Sequence, residues 1–369
     1  MMGPAAMKYR RGQPSVLGFM VVAGAVTSAS TGCDVSTALY WATDYGSDHE
    51  GSVLSLPLSL FSAAKYAPGV PRIVFAINAT GAAWEEGAVI LGAGASGPLC
   101  CHAVHVAYTS VPDDRLERLI AFVSDPNATT TPDATEVRRK EGTTHPLEAP
   151  RRQDLSGHAK GDNLRFYAYP ALGRLGVKYA LYLDVDCFAV APLHPFFAAL
   201  RTPGVTFVVA HTLQSSRPLS YTKFAREVNY TKGSDEFNAG VLGANVEAAV
   251  KLDVPASLAE VYALHVSTDG PLWPDNSVNQ AALILVAKQV RTLALNESWN
   301  CKYLESPDCR IFHKKPKKWP SLAHDEGFGP LRDETSALFA DYFGTPRGSD
   351  SWEHVLETRR HAAHPSRHK

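Results

Sequence analysis

The chain reads as short apolar runs divided by polar, glycine-bearing breaks, with stretches of helical period between the runs. Residues 36–43 (Ser-Thr-Ala-Leu-Tyr-Trp-Ala-Thr) predict a first strand. Residues 44–51 then form a polar loop of the kind that brings backbone groups to a ligand. Apolar residues recur at helical spacing over 54–66 and stop before Pro68-Gly69. Strands follow at 72–77 and 103–108, and a short helix at 115–123. Residues 124–163 are rich in Thr, Pro, charge and little large apolar matter, the composition of an exposed, largely disordered insertion. Helical spacing resumes over 164–175, and apolar strands follow at 179–183 and 205–210. Alternation of strand and helix predicts a parallel sheet covered by helices.

One run carries candidate chemistry. Residues 181–190 read Leu-Tyr-Leu-Asp-Val-Asp-Cys-Phe-Ala-Val, placing Asp184 and Asp186 at the end of a buried strand. Charges there are costly unless paired. Strand alternation would put both carboxylates on one face. Two hard oxygen donors on a face suit Mg²⁺ or Mn²⁺, which would in turn hold a phosphate. The plainer alternatives are a solvated strand end or a structural ion. Haloacid dehalogenase phosphatases also use Asp-x-Asp, but near the start of the domain and with Thr or Val where this chain has Phe188.

Length and charge narrow the classes. The 369 residues carry a net charge of -1, so no overall field favours nucleic acid or an anionic membrane. Six cysteines are too few for a disulfide scaffold at this size, although Cys301 and Cys309 lie close enough in sequence to pair. Cys100 and Cys101, being adjacent, would be strained as a mutual pair. Lys8, Arg10 and Arg11 precede an apolar run over 16–26 and then small residues, the order of a secretory signal peptide, too short for a membrane span. Asn78, Asn127, Asn229 and Asn296 each begin a glycosylation sequon. The expected setting is the secretory pathway lumen or outside the cell, with a cytoplasmic location as the alternative.

Further polar groups follow in order. Phe237-Asn238-Ala239-Gly240-Val241-Leu242 puts an amide and a glycine at a strand mouth, where Asn238 could meet a sugar or simply cap a turn. Pro274-Asp275-Asn276 opens an apolar helix through Leu283 and Leu285, so Asp275 is a helix cap or a sugar contact. Trp299-Asn300 follows; the Trp reads as core. Ile311-Phe312-His313 ends a strand and precedes Lys314, Lys315, Lys317, Lys318 and Trp319. A His can join two carboxylates on Mn²⁺, and lysines can neutralise a departing diphosphate, although such clusters are commonly solvated faces.

In this order the motifs resemble glycosyltransferase family 8, the group that includes glycogenin and bacterial lipopolysaccharide galactosyl- and glucosyltransferases. The resemblance runs from about Ala38 to Trp319, apart from the insertion. Ala42-Thr43-Asp44 resembles the uridine-binding strand end, and Arg165 a basic residue that contacts the donor. Leu181 to Asp186 resembles Leu-Tyr-Leu-Asp-x-Asp, Phe237 to Gly240 is Phe-Asn-Ala-Gly, and Asp275-Asn276 stands where the family has Asp-Gln. Trp299-Asn300 is its Trp-Asn, and His313 its third metal ligand. Two departures are plain: Asn276 is one methylene shorter than Gln, and His313 is followed by Lys-Lys-Pro-Lys-Lys-Trp with no glycine. Lys318 is the best match for the family's lysine, with Lys315 and Lys317 as alternatives.

The resemblance implies an α/β GT-A fold, a Rossmann-like mixed sheet flanked by helices with its site at the carboxyl ends of the strands. It implies a retaining, Mn²⁺-dependent hexosyltransferase moving a hexose from a UDP-sugar to a hydroxyl on a glycan, lipid or protein. Metal would be held by Asp184, Asp186 and His313. The donor would meet Ala42, Thr43, Asp44, Arg165, Asn238, Gly240 and Lys318, with Asp275 and Asn276 at the reacting sugar. The domain plan is a leader over 1–32, a transferase domain over 33–345 and a flexible basic tail over 346–369. A metal-dependent phosphohydrolase and a non-catalytic nucleotide-sugar or glycan-binding protein are the alternative classes.

Overall fold

The computed structural model describes residues 36–44, 55–77, 103–108, 155–211, 236–258, 260–261, 278–301, 308–313, 337–338 and 341. Its centre is a seven-stranded sheet in the order β3-β2-β1-β4-β7-β6-β8. The strands are β1 Thr37–Asp44, β2 Arg72–Ile77, β3 Ala103–Tyr108, β4 Tyr179–Leu183, β6 Phe207–His211, β7 Phe237–Asn245 and β8 Thr292–Leu295. β7 runs antiparallel to both neighbours, while the other pairs are parallel. A second sheet pairs β5 Cys187–Ala189 with β9 Ile311–His313. The helices used below are α1 Leu56–Tyr66, α2 Leu155–Arg174, α3 His194–Leu200, α4 Val246–Leu252 and α5 Val278–Ala287. Among the described residues, no helix is long and apolar enough to cross a membrane.

Both faces of the sheet are covered, which is why its central strands are apolar without alternation. On one face Ala38, Tyr40 and Ala42 of β1 pack with α2 and with Ala282 to Ala287 of α5. On the other, Leu39 and Trp41 pack with Leu56 and Leu60 of α1 and Phe196 and Leu200 of α3. α3 lies so close to β7 that a Cβ at Gly243 would stand 2.5 Å from Phe196 Cε1. From Leu164 to Leu172 α2 is buried nearly all round. It is held between β1 and β2 on one side and α4 and α5 on the other.

Several boundaries differ from those read in the sequence, mostly by one or two residues. α2 is the larger case. It begins at Leu155, so the predicted insertion over 124–163 ends in helix, not coil. Its first turns are polar and contain Gly157 and Gly161, which hides a helix from a search for apolar period. The predicted helix at 115–123 and residues 124–154 lie outside the described residues, as do the leader, Cys100, Cys101 and the tail.

The apolar run at 181–190 is also not one strand. β4 ends at Leu183, Asp184 to Asp186 turn, and β5 leaves the main sheet. Two buried serines of α1 satisfy β5 on the side away from β9. Ser59 Oγ donates to the Cys187 carbonyl and accepts from Trp41 Nε1. Ser62 Oγ accepts the Ala189 amide at 3.0 Å.

Tyr40 is the hub of the α2 face, with ring centroids 5.3 Å from Tyr182, 6.0 Å from Phe75 and 6.2 Å from Tyr169. Burial raises the Tyr40 hydroxyl well above its ordinary value and pushes Tyr169 up to about 12. Both hold their protons more tightly in the folded chain than in the unfolded one. Their contribution is therefore intact below pH 10 and is lost as pH rises through about 12 for Tyr169. Over that window stability is expected to fall by about 1.4 kcal/mol per pH unit for each such tyrosine. Urea unfolding at a series of pH values above 10 checks this, and Tyr169→Phe is expected to flatten the slope.

Candidate active site

The turn after β4 is fixed from three sides. The Asp184 amide donates to the Gly240 carbonyl at 2.8 Å, across the antiparallel β4–β7 pair. The Cys187 amide donates back to the Asp184 carbonyl at 2.9 Å, closing the turn. The Asp184 carboxylate accepts the Tyr182 hydroxyl at 2.7 Å and faces Arg165 Nη1 at 3.5 Å. Asp184 and Asp186 thus converge through a turn, not by strand alternation, because the strand has ended before them. The sequence could not show this, since the residues on both sides of Asp184 to Asp186 are equally apolar.

Arg165 projects from the buried part of α2 and is itself only 4% exposed. Its Nη1 also donates to the Ala239 carbonyl at 3.3 Å, and its guanidinium lies over the rings of Phe166 and Tyr182. The structure thus places Arg165 beneath the site, against the Asp184 carboxylate.

β7 supplies the opposite wall. Its register against β6 shifts between Val209 and His211, and Asn238 and Gly240, two residues apart, share a face. A Cβ on Gly240 would lie 2.5 Å from both Asp184 Oδ2 and His313 Cε1, and 2.9 Å from Asn238 Oδ1. Only a glycine allows β7 to approach the acidic turn and the imidazole this closely.

A relay of amides then orients the imidazole. Asn300 Nδ2 donates to the Asn238 carbonyl oxygen at 3.3 Å, which can only accept. This fixes the two ends of the Asn300 amide, so Oδ1 is the atom facing His313 Nδ1 at 3.0 Å. Nδ1 therefore carries the hydrogen. The other ring nitrogen, Nε2, points to Asp186 Oδ1 at 3.3 Å and Asp184 Oδ2 at 3.7 Å. Two carboxylate oxygens and an imidazole nitrogen this close call for positive charge among them, from a proton or a metal ion.

The carrier of this relay is braced. The disulfide Cys301–Cys309 closes the loop between Asn300 and β9. Further ties are the Cys301 amide to the Ile311 carbonyl and the His313 amide to the Cys301 carbonyl, each 2.9 Å. Trp299 is core, edge-on to Phe196 at 5.4 Å.

Asn238 Oδ1 accepts from the Gly240 amide at 2.9 Å and from Asn300 Nδ2 at 3.0 Å. Both lone pairs are used, so the amide can offer a ligand a hydrogen and not, as its composition suggested, an acceptor as well. Its Nδ2 donates to Gln280 Oε1 at 3.3 Å, in the first turn of α5. Gln280 was missed because it carries no signal in the sequence: its role comes from Asn238, far away along the chain. Cys187 was also missed: Asp186, Cys187 and His313 form a group whose potential ligand atoms all lie within 4.8 Å of one another.

Ala42 and Thr43 are buried at the carboxyl end of β1, and Asp44 closes that strand. Asp275, Asn276 and Lys318 lie outside the described residues. The donors present, carboxylates and an imidazole beside a glycine cradle, fit a divalent cation.

No family model matches this sequence, and no curated protein matches it. Among solved structures, the fold is similar to that of the bifunctional glycosyltransferase WbbM in its apo form. The TM-score is 0.52 at 12% identity, over 90% of this chain and 53% of that one, so this chain spans about half the length of WbbM. Weaker likenesses are mouse xyloside xylosyltransferase 1 (TM-score 0.43, 14% identity, 76% of this chain and 98% of that one) and an active-site variant of LgtC (TM-score 0.46, 14%, 82% and 95%). The fold is of the GT-A type: a mixed, mostly parallel sheet flanked by helices.

Gly240→Ala and Asn300→Ala are expected to lower divalent-cation affinity by about 10- to 100-fold while leaving the fold intact. Titration followed by the electron paramagnetic resonance of Mn²⁺, beside far-ultraviolet circular dichroism, checks both.

Proposed function

We propose that this chain transfers a hexose from a UDP-sugar to a hydroxyl acceptor with retention of configuration. The observation that carries the reading is the convergence of Asp184, Asp186 and the oriented Nε2 of His313 beside Asn238, at the carboxyl edge of the sheet. In open α/β sheets this edge is where ligands bind. The GT-A fold supports glycosyl transfer in general; the family 8 resemblance of the motifs supports UDP, retention and a hexose.

Asp184, Asp186 and His313 would hold Mn²⁺ or Mg²⁺, and such an ion supplies positive charge that stabilises a leaving diphosphate. The chain's own groups do the rest. Arg165 and Tyr182 hold Asp184 in place, and Asn300 holds His313. Asn238 Nδ2 and Gln280 Nε2 offer hydrogens to sugar or phosphate oxygens. Asp275 and Asn276 would orient the sugar, and Lys318 would add charge at the diphosphate. The bond from the anomeric carbon to the diphosphate breaks as the acceptor oxygen bonds to that carbon on the same face, and the acceptor's hydroxyl proton passes to the departing diphosphate. A secretory setting is supported by the Cys301–Cys309 disulfide and the four sequons.

The test is UDP release from a panel of UDP-sugars with Mn²⁺, with and without simple hydroxyl acceptors. Asp186→Ala is the better control. Asp184→Ala takes a carboxylate from a buried guanidinium, a change that costs about 3–5 kcal/mol and endangers folding. Release from one donor is expected, lowered about a hundredfold or more in Asp186→Ala. Undiminished release in that variant would remove the metal assignment. Release of inorganic phosphate with no transfer would point to a phosphohydrolase.

A further inference from the structure

The group formed by Asp186, Cys187 and His313 is not the donor set assigned above. It shares two members with that set and replaces the Asp184 carboxylate with a thiol. Cys187 is reduced and fully buried, and stands directly opposite His313 in the antiparallel β5–β9 pair. Residues directly opposite in such a pair place their side chains on the same face. Sγ therefore shares a face with the imidazole, and it donates to the Gly240 carbonyl at 3.5 Å, the carbonyl that also receives the Asp184 amide. The three potential ligand atoms lie within 4.8 Å of one another. A tetrahedral zinc site with ordinary Zn–S, Zn–N and Zn–O lengths spaces its ligand atoms by roughly 3.5 Å, so an inward shift of about an ångström assembles one.

We infer that this chain has a second, thiol-containing metal site at Asp186, Cys187 and His313 that takes borderline and soft divalent ions such as Zn²⁺ and Co²⁺. It overlaps the all-oxygen-and-nitrogen set at Asp184, Asp186 and His313. Hard ions favour the carboxylates and softer ions favour sulfur. The two sets share Asp186 and His313 and cannot be filled together, so Zn²⁺ displaces Mn²⁺ competitively. Coordination bonds Sγ to the metal as thiolate, and the thiol proton passes to solvent. The inference rests on the geometry of the cluster and not on the transfer reaction.

Co²⁺ added to the purified full chain reports sulfur ligation directly. Wild type is expected to show a thiolate-to-cobalt charge-transfer band in the near ultraviolet together with the visible ligand-field bands. Cys187→Ser keeps the size and the hydrogen donor of the side chain and is expected to lose the charge-transfer band. It should weaken Zn²⁺ binding about tenfold or more and leave Mn²⁺ binding within about twofold. Ligand-field bands without charge transfer in wild type would overturn the inference. So would a charge-transfer band that persists in Cys187→Ser, or no Co²⁺ binding at all. None of these readings depends on UDP release, so failure here and failure of the transferase reading are separable.

Discussion

A buried guanidinium needs a carboxylate, and the contact between Arg165 and Asp184 meets that need at the candidate site. α2 is buried from Leu164 to Leu172 except at Pro170, so Arg165 within that stretch is kept from water. Asp184 must stay where the strand end puts it, and Tyr182, one residue short of that end, adds a hydroxyl to the same oxygen. The acidic turn thereby inherits the rigidity of the core beneath it. An acid held by surface loops alone would have to be ordered by its ligand, at a cost in affinity.

The other half of the site is held by amides. Asn300 joins His313 to Asn238, and Asn238 joins Asn300 to Gln280. A side chain that sets the imidazole's tautomer and one that presents a hydrogen to a ligand are thus neighbours in a single network. Neutral amides suit this work: each has a donor end and an acceptor end, so one fixed carbonyl determines the orientation of all that follow. Gly240 makes the meeting of the two halves possible by leaving out a side chain.

Much of this arrangement was legible in the sequence, and the parts that were not have physical causes. β2 and β3 have the limits that their apolar runs suggested. The order of Asp184, Asp186, Asn238, Asn300 and His313 along the chain pointed to one locale, and the structure brings them together. The turn at Asp184 to Asp186 was hidden because β4 and β5 are equally apolar although they belong to different sheets. Cys187 was hidden because its meaning comes from the strand opposite, which lies far away in sequence. The family resemblance implies a donor contact for Arg165, and the structure adds that it is buried and lies against Asp184.

The two-stranded sheet has a consequence for how the protein comes into being. β4 and β5 appear midway along the chain, while β9, which carries the imidazole, follows β8, the last strand of the main sheet. During synthesis at the ribosome, the seven-stranded sheet can therefore close and bury Arg165 against Asp184 before His313 has emerged. Until then β5 has its serines on one side and no strand on the other. A chain ending before β9 would lack both the imidazole and the buried Ile311 and Phe312.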